Sequence, residues 1–263
     1  IKQTKNLTDH IKKIFKDKNY PIMIDEEGGK VSRLKKIIDT SLFSHKHFGE
    51  MFIKDNKRFN LYFATYVKQL SYVLTLLGIN INTVPVLDVI RKFSSKVLKD
   101  RCYSQNPKIV SKLGNLCIKT FNKYGIATVI KHIPGHGPSR KDSHFEVPIV
   151  NDKINKLRKI DFLPFKKKKS YLAMTAHVVY TSIDKFNTAT HSKKVIKLIR
   201  NNIGFKNIIM SDDISMRALK FSLKENTIKA FTAGCNLVLH CNGNLKEMTI
   251  VAKNSPPIND FIR

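Results

Sequence analysis

ATVIKHIPGHGPSRKDSH, residues 127–144, decides the fold, because it reads as a strand that ends in reactive side chains. Ala127 to Ile130 is an apolar run suited to a buried strand. From Lys131 to His144 come three histidines, two glycines, two prolines and an aspartate, a mixture with no use in a packed core. A polar loop punctuated by glycine at a strand end is a common seat of chemistry. Asp142 and His144 stand two residues apart, so in an extended backbone their side chains point the same way. A carboxylate beside an imidazole raises its pKa, and an imidazole titrating near neutrality can both give and take a proton.

Working outward, the same design recurs. Apolar runs at 21–24, 83–87, 127–133, 171–176, 207–210 and 236–239 each lead into polar residues, among them Asp25, Asp88, His177, Asp212 and His240. An opening helix near 4–18 precedes them, and amphipathic stretches near 58–77, 107–124, 192–203 and 215–232 lie between them. Alternation of this kind predicts a parallel sheet with crossover helices. Polar strand ends repeated all along the chain predict a (β/α)₈ barrel, whose site is built at the C-terminal ends of its strands. A doubly wound sheet would gather its ligand contacts at one switch point instead. Six strands are visible, so the expectation is one barrel domain over 1–263, incomplete, with its first two strands missing before Ile1.

Three segments then carry a family resemblance. IDEEGGKVSRL (24–34), KHIPGHGPSRKDSH (131–144) and NIIMSDDISM (207–216) resemble the sugar-binding loop, histidine loop and nucleophile strand of glycoside hydrolase family 3. TAHVVY (175–180) and AGCNLVLHCNG (233–243) are similar to segments of that family's bacterial β-N-acetylglucosaminidases. The resemblance implies the barrel fold and a retaining exo-β-N-acetylglucosaminidase acting on peptidoglycan-derived fragments. It implies Asp212 as nucleophile, His144 as general acid/base and Asp142 as its dyad partner. Asp25, Arg33, Arg101, Lys131 and His132 would hold the N-acetylglucosamine unit, with no cofactor and no metal. Two departures stand out: Lys30 occupies a position where arginine is frequent, and RCYSQNP (101–107) carries Gln105-Asn106 in place of a more acidic pair. The alternatives are another family 3 activity such as a β-glucosidase, or a basic polyanion-binding protein on a degenerate hydrolase scaffold.

The residues also admit plainer roles. Asp212 or Asp213 could N-cap a helix starting near Ile214. Glu26 and Glu27 could be surface residues, and His136 and His177 could shape the pocket by hydrogen bonding. Gly28-Gly29 and Gly135/Gly137 suit tight turns better than phosphate cradles. Lys131 and His132, at a buried strand end, call for an acidic partner or a ligand, since an unpaired buried cation is costly.

The formal charge is +28, from 48 basic and 20 acidic residues. Dispersed along the chain and not interleaved with aromatics, the lysines read as a solvated surface, and no nucleic-acid partner is expected. Lys166 to Lys169, the one dense run, is expected in solvent between a helix and a strand. Cys102, Cys117, Cys235 and Cys241 include no CxxC pair, which suits reduced thiols in a cytoplasmic setting. No run of 18 apolar residues suggests a membrane span, and a monomer is expected.

Overall fold

The structure is a computed structural model that describes residues 1–143, 145–259 and 261. The chain opens with α1 (Lys2–Ile14), β1 (Met23–Ile24), α2 (His45–Lys54), α3 (Asn56–Leu76) and β2 (Ile81–Asn82). It continues through α4 (Pro107–Lys123), β3 (Ala127–Ile133), β4 (Ile149–Val150), α5 (Ile154–Ile160), β5 (Leu172–Thr175) and β6 (Val179–Tyr180). It closes with α6 (Lys193–Leu198), β7 (Ile208–Asp213), α7 (Leu223–Ala233), β8 (Leu237–Leu239) and α8 (Leu245–Lys253).

Six strands form one sheet in the order β1-β2-β3-β5-β7-β8, and every pairing is parallel. This is the incomplete α/β barrel sheet that the sequence predicts, with β4 and β6 as a separate parallel pair. Among the described residues, β1 and β8 each pair on one side only.

Alternation along the strands separates two apolar layers. Val129, Leu172, Met174 and Met210 pack with Ile81 on the inner face. Their neighbours Ile130, Ala173 and Ile209 join the large core beneath the helices. The helices bury matching stripes. On α4, Val110, Leu113, Cys117, Ile118 and Phe121 are buried at three- and four-residue spacing, after Asn106 as N-cap and Pro107 in the first turn. Burying each such side chain contributes roughly 1.5–3 kcal/mol.

Two boundaries differ from the sequence reading. The second strand lies at Ile81–Asn82, just ahead of 83–87, because Pro85 has no N–H for a ladder; only Val86 bridges Lys131 beyond it. The helix expected over 215–232 begins at Leu223, where Ser222 and Glu225 form a capping box. Met216, Leu219 and Leu223 mimic a helical period, but Leu219 packs as a loop residue with Ile214 against Val251. Asp212 and Asp213 therefore do not N-cap that helix. Helices α2, α5 and α8 and the β4–β6 pair went unread in the sequence. The lysine run 166–169 does connect a short 3-10 turn (Leu163–Phe165) to β5, exposed save for the half-buried Lys168. Among the described residues, no helix is long and apolar enough to cross a membrane.

Candidate active site

The strand ends converge on a cavity of about 430 Å³. Asp25 enters from the end of β1, Lys131 and His132 from β3, and Asp212 and Asp213 from β7. Arg33, Arg101 and Asp142 reach it from loops. Every site residue expected from the sequence lines this one cavity except His144, which lies outside the described residues.

A charge network forms its floor. The Lys131 ammonium, almost fully buried, donates to Asp25 at 2.5 Å, to Thr83 at 2.9 Å and pairs with Glu27 at 2.6 Å. Arg101 grips Glu27 through two parallel bonds of 2.8 Å from Nε and Nη2. Arg33 lies 3.3 Å from the outer oxygen of Asp25. Burial works against charge on Glu27, yet Arg101 and Lys131 outweigh it and hold the carboxyl far below its ordinary range. Asp25 is held below its usual value in the same way, chiefly by Lys131 against burial and the neighbouring Glu27. The acidic partner that Lys131 demanded is thus Glu27 together with Asp25. Reading Glu27 as a surface residue was wrong, and so was the same reading of Glu26. Glu26, fully buried, accepts from Ser32, Thr40 and the amides of Arg33 and Leu34, and so shapes the turn that presents Arg33.

Asp88, at the end of the second strand segment, fixes the histidine side. Its Oδ2 accepts from His132 Nδ1 at 2.7 Å, and Oδ1 accepts from the amides of His136 at 2.6 Å and His132 at 3.3 Å. This leaves His132 Nε2 facing Arg101 Nη2 at 3.4 Å. The sequence showed Asp88 as a polar strand end but gave no sign of its partner.

At the far wall, burial would raise the Asp212 pKa. The imidazoles of His177 and His132, the Asp213 amide donating at 2.8 Å, and Lys131 outweigh it and keep the carboxyl below its usual value. His177 is fully buried, which pushes its own pKa down. Its Nε2–H donates to the Asp213 carbonyl at 2.9 Å, so Nδ1 accepts from the Thr190 hydroxyl at 2.7 Å. Asp213 itself is spoken for: its carboxylate accepts from Ser215 N at 3.0 Å and Oγ at 2.8 Å and from Cys241 N at 3.3 Å.

The loop bearing Asp142 is anchored at its base and its tip. Tyr180 donates to Gly135 O at 2.7 Å, Ser94 to Gly137 O at 2.5 Å, and Ser95 N to Ser139 O at 2.9 Å. Gly137 is obligatory there, since a Cβ would lie 2.0 Å from Val89 O. Near the tip, Ala218 N donates to Ser143 O at 3.2 Å, joining this loop to the segment that follows Asp212. Among the described residues, no group of three or more histidine, cysteine or acidic side chains is placed to hold a metal ion.

Comparison with known proteins gives the family and the fold. Residues 1–256 match the family model of the glycosyl hydrolase family 3 N terminal domain. The chain is 30% identical over 258 residues to beta-hexosaminidase A of Pseudoalteromonas piscicida, covering 91% of this chain and 41% of that protein. It is 34% identical over 231 residues to a beta-hexosaminidase of Nitrosomonas eutropha, covering 84% of this chain and 64% of that one. The chain thus spans less than two thirds of these relatives. Among solved structures, NagZ from Neisseria gonorrhoeae in complex with N-trifluoroacetyl-D-glucosamine superposes with a TM-score of 0.85 at 29% identity, over 99% of this chain and 76% of that one.

Proposed function

Since the chain belongs to glycosyl hydrolase family 3, we propose that its cavity serves a retaining exo-β-N-acetylglucosaminidase. The observation that carries this reading is the meeting of Asp142 and Asp212, from separate loops and strands, in one cavity floored by Asp25, Lys131 and Arg101. Asp212, kept ionised by its surroundings, attacks the anomeric carbon from the face opposite the aglycone. The C–O bond to the aglycone breaks as His144, protonated and oriented by Asp142, gives the departing oxygen its proton. A covalent glycosyl–Asp212 ester results. His144, now neutral, takes a proton from water, which attacks the same carbon and frees the Asp212 carboxylate. Asp25, Arg33, Arg101, Lys131 and His132 hold the hydroxyls and the acetamido group of the sugar. Terminal N-acetylglucosamine on peptidoglycan-derived fragments is the substrate class we assign. The relatives' beta-hexosaminidase names and the N-acylated glucosamine ligand of the Neisseria structure support the N-acetylglucosamine part of this assignment.

The test uses the full-length protein with paired aryl β-N-acetylglucosaminides and β-glucosides. Release of phenol from the first and not the second is expected; the reverse preference would assign a β-glucosidase. His144→Ala is expected to slow poor leaving groups by about 10²–10⁴-fold and activated phenols far less, since only the former need protonation. Equal losses on both would remove the acid role. Asp142→Asn should show the same leaving-group pattern in weaker form. His177→Phe removes the donor to the Asp213 carbonyl. It is expected to lower kcat by up to roughly a hundredfold with little change in KM, because it displaces the reacting carboxylate and not the sugar. A rise in KM alone would place His177 in substrate binding instead.

A further inference from the structure

Folding gathers what the chain order disperses. Helix α4, the segment 153–160 that includes α5, and the segment 163–171 together hold 34 residues with twelve lysines or arginines and no acid. The other 229 residues carry the remaining sixteen of the 28 net charges, so the charge density of these segments is about five times higher. They are neighbours in space. The 3-10 turn Leu163–Phe165 packs against both α4 and α5, and Lys168, next in line, donates to Ser111 of α4 at 3.0 Å. Burial with no acid beside it lowers the Lys168 pKa to about 8.

Eleven of the twelve cations are exposed, all but Lys168. Among the described residues, the one ion pair on this face is Lys156 with Asp152 at its border, 2.9 Å apart. The cations at Lys108, Lys112, Lys119 and Lys123 recur at four- and seven-residue spacing, which keeps them on one side of α4 over about 22 Å of helix. None of these side chains lines the catalytic cavity. Like charges held this close repel one another, and an external polyanion relieves that repulsion.

We propose that this outer face binds nucleic acid through its phosphates, without regard to sequence. A phosphodiester backbone asks only for cations at repeated spacing, and releases counterions when it meets them. An anionic bilayer attracts such cations too, but stable anchoring there takes a second signal such as inserted apolar side chains. Among these 34 residues only Tyr171 is a strongly exposed large hydrophobic side chain. The face is separate from the sugar pocket, so its test stands or falls apart from the glycosidase reading.

The experiment follows the anisotropy of a fluorescent 20-base-pair duplex with the full-length protein as salt is raised. Binding is expected at 0.1 M salt, with log K falling against log salt at a slope of about −4 or steeper. The fourfold variant K108Q/K112Q/K119Q/K123Q should bind at least about tenfold more weakly, with a slope shallower by about 3. A loop variant, K166Q/K167Q/K169Q, alters no helix and should weaken binding likewise. The variant K193Q/K194Q/K206Q/K224Q removes as much charge from other exposed positions and should stay within about twofold of the parent. Equal losses in the two fourfold variants would reduce the effect to net charge and overturn the proposal. So would absence of binding at 0.1 M salt, or tighter retention by vesicles of anionic lipid than by the duplex.

Discussion

Asp212→Asn is expected to lower kcat on an aryl β-N-acetylglucosaminide by on the order of 10³-fold or more, with the fold intact. The amide keeps the shape of the side chain and its oxygen still accepts from the Asp213 amide, the 2.8 Å bond seen in the parent. What it loses is the negative charge that bonds to the anomeric carbon. Because the parent carboxyl is held below its usual value by His177, His132 and Lys131 against the effect of burial, it stays ionised throughout the neutral range. The acid side of the kcat/KM profile should therefore be flat down to about pH 4, and the alkaline fall should come from the imidazolium. A sharper check is chemical. Asp212→Gly in the presence of azide should regain turnover and give the α-glycosyl azide, since the small anion enters from the vacated face. The neighbouring Asp213→Asn should lose far less, its carboxylate being engaged with Ser215 and Cys241. If Asp213 variants lost the activity and Asp212 variants kept it, the nucleophile would have to be reassigned.

Glu27→Ala should be the most destabilising single change in the pocket, by about 3–5 kcal/mol. It strips Arg101 of both its 2.8 Å bonds and leaves Lys131 with Asp25 as its one carboxylate. Both cations remain buried, and a buried charge without its partner is penalised heavily. Thermal unfolding should shift down by on the order of 10 °C. The pH dependence has a definite sign. Glu27 binds its proton far more weakly in the folded protein than its ordinary value of 4.5. The unfolded chain therefore takes up protons first as pH falls, so this stabilisation is complete above about pH 5 and is lost progressively below the ordinary value. In Glu27→Gln that part of the acid limb should vanish. A Glu27→Ala protein within about 0.5 kcal/mol of its parent in urea would mean that the network contributes nothing to folding.

The sequence exposed the strand ends well and their surroundings poorly. Asp25, Lys131, His132 and Asp212 each follow or end an apolar run, so local pattern marked them as strand ends of a barrel, and the family resemblance gathered them into the one pocket they line. Glu27 and Asp88 escaped because their roles depend on partners 74 and 44 residues away. A charged residue in a turn carries no local mark of burial. The 214–222 segment misled for the opposite reason: Met216, Leu219 and Leu223 are spaced to suit a helix, but Leu219 packs as a loop residue with Ile214 against Val251. The assignment of His144 rests on the sequence and its resemblance, since that residue lies outside the described residues. The lysine face was invisible in one dimension because its twelve cations come from two stretches, 107–123 and 153–171, that only the fold sets side by side.

The link between Ala218 N and Ser143 O is main chain to main chain, so it is indifferent to which side chains stand at either end, proline at 218 excepted. Apart from Asp142, His144, Asp212 and Asp213, drift can therefore recolour both segments, and with them the rim of the cavity. Insertions and deletions enjoy no such licence, because one residue more or less in either segment would break the tie. Diversification of this rim should accordingly proceed by exchange of residue types at constant segment length.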